Sequence, residues 1–256
     1  MEPIAIVGIG CRFPGGVTDP GSFWTLLSGG VDAVVEVPPD RWNSRRLYHP
    51  DPASRPGTVG TRLGGFLSDI DMFDAGFFGI SPREAALMDP QQRLLLESTF
   101  DALEDGGQSL DRLSGTPVGV FIGIAAYDYA EIQHSPENRE LITGHTNTGL
   151  ALSIAANRIS YAFNFTGPSL AVDTACSSSL VALHLACQSL WRGESRLAVA
   201  GGVNAILKPE PTIGFSRASM LAPDGRCKAF DARANGYTRG EGAGVVILEP
   251  LSAARA

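Results

Sequence analysis

An α/β layered domain with a mixed, largely parallel sheet is the fold class that this sequence predicts. Three observations carry it. Continuous apolar runs at residues 4–9, 118–124, 169–172, 197–207 and 245–248 have the length and composition of buried strands. Between them lie stretches with helical periodicity and helix-start chemistry, so strands and helices alternate along the chain. Near-unbroken apolar strands are what a sheet covered by helices on both faces requires.

Taken in order, residues 4–9 read as the first strand, with Gly8-Ile9-Gly10 as its end and turn. A dinucleotide-binding loop is disfavoured there. It needs a glycine where Phe13 stands and an immediate helix where Pro14-Gly15-Gly16 stand. A helix follows from Asp19 or Pro20 to Leu27, capped by Asp19 and ended by Gly29-Gly30. Residues 37–66 are rich in Pro, Arg, Gly and Asp without periodicity and read as a long surface excursion. Its arginines, Arg41, Arg45, Arg46, Arg55 and Arg62, read as a solvated face. Asp89-Pro90-Gln91-Gln92 has the form of a helix start, with an aspartate cap, proline at the first helical position and glutamine three after the cap. That helix is expected to run to about Asp105, with Leu94, Leu95, Phe100 and Leu103 as its apolar stripe. Residues 147–163 are expected as one further helix. The strand at 197–207 is expected to break at Gly201-Gly202, residues 209–227 read as loop with one helical turn, and Gly240-Glu241-Gly242-Ala243-Gly244 leads into the last strand.

Composition bounds the function. With 256 residues, 44% hydrophobic and 8% aromatic, the chain can bury a substantial core. Its 20 basic and 27 acidic residues give a formal charge of −7, and no Lys/Arg run tracks a phosphate backbone, which argues against nucleic acid. Met1-Glu2-Pro3 begins no signal peptide, and the apolar runs fall far short of the roughly 20 residues that span a bilayer. The expectation is a cytoplasmic protein with no membrane partner. Cys11, Cys176, Cys187 and Cys227 form no C-x-x-C pair and have no histidine at zinc-ligand spacing, so they read as reduced thiols and no metal site is expected.

Chemistry concentrates in Asp173-Thr174-Ala175-Cys176-Ser177-Ser178-Ser179, a polar knot between the strand at 169–172 and an apolar helix that Gly193 ends. Cys176 stands at the start of that helix, where unpaired N–H groups and the positive end of the macrodipole favour a thiolate and can receive an oxyanion. The competing reading makes Cys176 a small core residue and the three serines helix caps. Strand, sharp turn, nucleophile and apolar helix resemble the elbow that exposes nucleophiles in other α/β enzymes.

Seven collinear segments carry a wider resemblance. They are Ile4-Ala5-Ile6-Val7-Gly8 with Gly10-Cys11-Arg12-Phe13-Pro14, Phe77-Phe78-Gly79-Ile80-Ser81-Pro82-Arg83-Glu84, Met88-Asp89-Pro90-Gln91-Gln92-Arg93, Asn157-Arg158-Ile159-Ser160-Tyr161, Val172 to Ser179, Pro223-Asp224-Gly225-Arg226-Cys227-Lys228 and Arg239-Gly240-Glu241-Gly242. Together they resemble the β-ketoacyl synthase family, and within it the N-terminal half of the ketosynthase domain of a modular polyketide synthase. The resemblance implies a thiolase-like fold of two similar α/β halves in five layers, of which residues 1–256 form the first. It implies Cys176 as the acyl-accepting nucleophile and a homodimer with the strand before Cys176 near the two-fold axis. The substrates implied are acyl chains and malonyl-type extenders on the phosphopantetheine arm of an acyl carrier protein, with an acyltransferase and other polyketide synthase domains as neighbours and no cofactor bound by the domain itself. The implied reaction is a decarboxylative Claisen condensation.

That reaction needs two histidines which the family carries in its second half, beyond Ala256. His184 lies eight residues from Cys176, about 12 Å along a helix, and His49, His134 and His145 match no family position. The chain alone is therefore expected to fail at complete condensation and to expose apolar surface that the second half would cover. Two alternatives keep the fold: acyl transfer or thioester hydrolysis by Cys176, or a non-catalytic scaffold.

Overall fold

The apolar runs become strands and the periodic stretches helices in a computed structural model that describes residues 2–256. In chain order the principal elements are β1 (Ile4–Arg12), α1 (Pro20–Ser28), β2 (Val34–Glu36), β3 (Leu63–Gly65), α2 (Pro90–Asp105), β4 (Val118–Gly123), α3 (Thr146–Leu150), α4 (Leu152–Ala162), β5 (Ser169–Val172), α5 (Ser178–Trp191), β6 (Leu197–Asn204), α6 (Glu210–Arg217) and β7 (Gly242–Pro250). Five strands form one sheet in the order β1-β7-β6-β4-β5. β4 pairs parallel with β5 and β6, while β7 runs antiparallel to both β6 and β1. Four strands thus point one way and only β7 opposes them.

Alternation along the strands assigns the two faces. Val118, Val120 and Ile122 of β4 pack with Leu95, Leu96 and Leu103 of α2 and Ala155, Ala156 and Ile159 of α4. Phe121, together with Ala198 and Ala200 of β6, packs on the other face against Ala182, Ala186 and Leu190 of α5. The result is a helix–sheet–helix sandwich. Each fully buried leucine or isoleucine contributes on the order of 2 kcal/mol to it.

Gly8 and Gly10 lie inside β1 rather than at its end. A Cβ on either would collide with a backbone carbonyl of α2, Ala102 O or Ser98 O, so the two glycines let that helix sit directly on the strand. The strand-to-turn reading of this stretch is corrected accordingly. β6 likewise runs unbroken through Gly201 and Gly202 and ends at Asn204.

The single helix expected at 147–163 is two helices, parted at Ala151, whose backbone is extended (φ −67°, ψ 124°). The cause is competition for carbonyls. Gln92 Nε2 donates to Thr148 O (3.2 Å) and Gly149 O (3.0 Å), and Asp89 N–H donates to Gly149 O (2.9 Å), which diverts acceptors that a continuous helix would use. The same bonds explain why Gln92 does not close a capping box: its amide is spent across the interface, and Asp89 caps α2 through Gln91 N–H alone (2.8 Å).

Residues 37–66 leave and return through the antiparallel β2–β3 pair. Arg41 does not belong to a solvated face. Its side chain is 5% exposed and binds Glu241, a partner 200 positions away that local sequence cannot disclose.

Asp89 is nearly inaccessible, and burial pushes its carboxyl up to about 6 despite the hydrogen bonds from Gln91 that oppose the shift. A raised carboxyl favours the folded state while protonated. That contribution is full below about pH 4 and is lost as pH rises through about 6. Asn caps a helix as well as Asp. Asp89→Asn is therefore expected to match the wild-type stability near pH 4 and to exceed it at pH 7.5 by up to about 3 kcal/mol, seen as a higher thermal midpoint. Calorimetry across this range checks it.

Candidate active site

β5 stops at Val172, and the next five residues turn the chain sharply before α5 begins at Ser178. Ala175 has φ +55°, a left-handed conformation that costs an L-residue about 1–2 kcal/mol. Hydrogen bonds hold it there. Asp173 Oδ1 accepts from Ala175 N–H (2.9 Å), Thr174 N–H donates to Ser178 Oγ (2.9 Å), and Ser178 Oγ–H donates to Ala175 O (2.7 Å). Ser177 Oγ–H donates back to Thr174 O (3.0 Å). The serines bind the turn, and Ser177 at the N-cap position places no side-chain bond on the first turn of α5. No side-chain cap therefore takes the leading N–H groups of the helix, while Ser178 N–H donates to Ala175 O (3.1 Å). Cys176 precedes the N-cap by one residue and is exposed. Its N–H makes no hydrogen bond of ordinary geometry to any described residue.

Two glycines seat the helix start on the sheet. A Cβ on Gly123, at the end of β4, would lie 2.5 Å from Ser179 N; one on Gly202, in β6, would lie 2.7 Å from Ser179 Cβ. Because neither carries a side chain, α5 drops onto the carboxyl ends of β4 and β6 and delivers Cys176 there. Open α/β sheets place their ligands at this end.

Cys176 opens onto a cleft of about 620 Å³. Phe13, Phe215 and Tyr237 give it aromatic walls, glycines 123, 202 and 244 give it a flat floor, and residues 237–242 run along one side. Burial raises the Tyr237 hydroxyl above the usual phenol range, against the pull of Arg239, so it is a neutral donor at pH 7. Burial also lowers the Arg239 guanidinium, which donates to Thr212 Oγ1 (2.7 Å) and lies 5.3 Å over the Phe215 ring. None of the four histidines lines the cleft, and no group of three or more metal-ligating side chains occurs among the described residues. His145 instead sits 3.8 Å from Glu84, and His49 contacts its own loop at Asp51. No helix among the described residues is long and apolar enough to cross a membrane.

Chemically, an exposed thiol at the mouth of an apolar cleft suits attack on an acyl carbonyl. The strained turn makes a direct demand on sequence. Ala175→Val, β-branched at positive φ, is expected to cost about 2 kcal/mol or more and to slow Cys176 alkylation by iodoacetamide, whereas Ala175→Gly keeps both fold and reactivity. Thermal melts with timed alkylation check it.

The sequence pointed to Cys176 and its knot but missed Phe13, Phe215 and Tyr237 as walls and Glu241 as a buried acid. The one signal for the last was an acidic residue flanked by glycines, Gly240-Glu241-Gly242, just before an apolar strand.

The N-terminal domain of β-ketoacyl synthases matches residues 1–254. One of the phenolphthiocerol/phthiocerol polyketide synthase subunits from Mycobacterium tuberculosis is 54% identical over 98% of this chain, which spans 14% of that protein. Erythronolide synthase EryA2 of Saccharopolyspora erythraea is 51% identical over the whole chain, which spans 7% of it. Among solved structures, the oxazolomycin ketosynthase domain OzmH KS7 of Streptomyces albus superposes with a TM-score of 0.91 at 41% identity, covering 100% of this chain and 43% of that one. The ketosynthase from module 6 of the bacillaene synthase of Bacillus subtilis gives 0.86 at 40%, covering 98% and 41%. The thiolase-like fold implied by the seven segments is the fold of these neighbours, matched here over its N-terminal half. The chain belongs to the β-ketoacyl synthase family.

Proposed function

We propose that residues 1–256 are the nucleophile-bearing unit of a polyketide-type ketosynthase, with Cys176 as the residue that accepts the acyl chain. The observation that carries this is the presentation of Cys176: a strained turn and two glycines hold its thiol exposed at the mouth of an apolar cleft. The acyl group arrives as a thioester on the phosphopantetheine arm of an acyl carrier protein. The Cys176 thiolate attacks the carbonyl, its N–H holds the oxyanion, and the carrier thiolate leaves and takes up a proton, so one thioester replaces another. Loss of CO₂ from a malonyl-type extender then gives the enolate whose carbon attacks the Cys176 thioester, so that the C–C bond forms as the acyl C–S bond breaks and the Cys176 thiolate is released. The groups that stabilise that enolate are assigned to the family's second half.

Partners follow the same reading: an acyl carrier protein, the other domains of a polyketide synthase, and a second copy of the chain. The dimer draws support from β5, which pairs only with β4 and leaves its outer edge open, with Leu170 46% exposed and Leu180 70% exposed nearby. A reducing, cytoplasmic setting accords with four free thiols.

The test uses a polypeptide that carries this chain and the segment that follows it in the relatives. Supplied with acyl and malonyl thioesters it is expected to form a 3-oxoacyl product, and its Cys176→Ala form none. Product from the variant overturns the assignment.

A further inference from the structure

Four donors converge on one carboxylate behind the cleft. Glu241 Oε1 accepts from Ile206 N–H (2.9 Å) and Arg41 Nε–H (3.2 Å), and Oε2 accepts from Leu67 N–H (2.8 Å) and Arg41 Nη2–H (3.2 Å). Its side chain is fully buried. The donors come from three remote places: the excursion at 37–66, the segment just after β3, and the segment just after β6. Around this hub the backbone is tied as well. Glu241 N–H donates to Gly65 O (2.8 Å), Gly65 N–H donates to Arg239 O (2.9 Å), and Asn204 Nδ2–H donates to Gly240 O (2.7 Å).

The tied segment is one wall of the cleft, since residues 237–242 all line it, as Cys176 does. Flanked by Gly240 and Gly242, residue 241 lies in a strip with little stiffness of its own. Its place is set by what the carboxylate holds.

We propose that Glu241 is a positioning residue: by gathering Arg41, Leu67 and Ile206 onto one carboxylate it fixes the 237–242 wall at the spacing from Cys176 that a chain-bearing substrate needs. The role rests on the reading of Cys176 as acyl acceptor, and it gives the long excursion a function, because Arg41 brings that segment to bear on the cleft. Only a carboxylate meets the geometry. Glutamine offers an acceptor at one end and would turn an N–H towards a backbone N–H at the other.

Two alkylating agents separate the wall from the thiol. Both rates are read at the Cys176 peptide by mass spectrometry, because Cys227 is also exposed: iodoacetamide then reports the thiol, and N-decyl iodoacetamide also reports the cleft. The wild-type chain is expected to react faster with the decyl reagent, and Glu241→Gln is expected to lose that preference by about tenfold while its iodoacetamide rate stays within about twofold, as displacement of a positioning group predicts. Arg41→Lys keeps the charge but not the fork and is expected to move the ratio in the same direction by less. It decides the matter if Glu241→Gln shows no cooperative melt. An unchanged ratio in a folded variant, or an equal fall with both reagents, overturns the proposal. Acylation by a decanoyl thioester is measured alongside: a wild-type chain that alkylates with the preference but never acylates overturns the acyl-acceptor reading and leaves the ratio to judge Glu241.

Discussion

Gly123→Ala is expected to be among the most damaging single-methyl additions in this chain. The new Cβ would lie 2.5 Å from Ser179 N, 2.6 Å from Ser178 C and 2.8 Å from Ser179 Cα, all backbone atoms that cannot swing aside. The start of α5 must lift off the sheet. Overpacking of this kind costs about 1–3 kcal/mol, which for a chain of this size lowers the thermal midpoint by several degrees. The larger effect falls on reactivity. A shift of about 1 Å in a reacting group can cost on the order of a hundredfold in rate, so acylation of Cys176 should fall far more than stability does. Gly214→Ala is the control, because its Cβ meets nothing within 4 Å. Equal losses in both variants, or an unchanged acylation rate in Gly123→Ala, would show that the seat of α5 does not set the nucleophile.

Cys176→Ala should abolish the acyl adduct formed when this chain meets a decanoyl thioester, with loss to below detection by intact mass. The other thiols are poor competitors for different reasons. Cys11 is buried and Cys187 half-buried, and burial raises both thiols, which keeps them protonated. Cys227 is the real rival. It is exposed, and Thr238 N–H donates to its sulfur at 3.2 Å, close to the same cleft wall. Cys227→Ala should retain the adduct at a rate within about twofold of wild type, because Cys227 lies outside the helix-start geometry that Cys176 occupies. An adduct that survives in Cys176→Ala and disappears in Cys227→Ala would transfer the nucleophile's role.

How much of this was written locally is clear from particular residues. Asp19, Asp89 and the flanking prolines marked helix starts because capping is a short-range transaction between neighbours. The strand before Cys176 and the helix after it were legible from period and length alone, and Cys176 stood out because the knot interrupts two apolar runs. What stayed hidden was long-range. Gly8 and Gly10 look like turn residues until α2 is laid on them. Ala151 reads as mid-helix until Gln92, 59 positions earlier, takes the carbonyls beside it. Arg41 looks like one more surface arginine until Glu241 is folded against it. In each case the deciding partner lies far along the chain, where neither propensity nor periodicity carries information. The seven collinear segments gave the family, and with it the expected role of Cys176, but not the walls of the cleft.

The most direct test of Cys176 as the acyl acceptor is to locate the acyl group. The chain is treated with a decanoyl thioester, digested at low pH to preserve thioesters, and the modified peptide is sequenced by mass spectrometry. The expected result is a single acylated residue, Cys176, in the peptide that contains Asp173-Thr174-Ala175-Cys176. Acylation spread evenly over the exposed thiols, or confined to Cys227, would contradict that role.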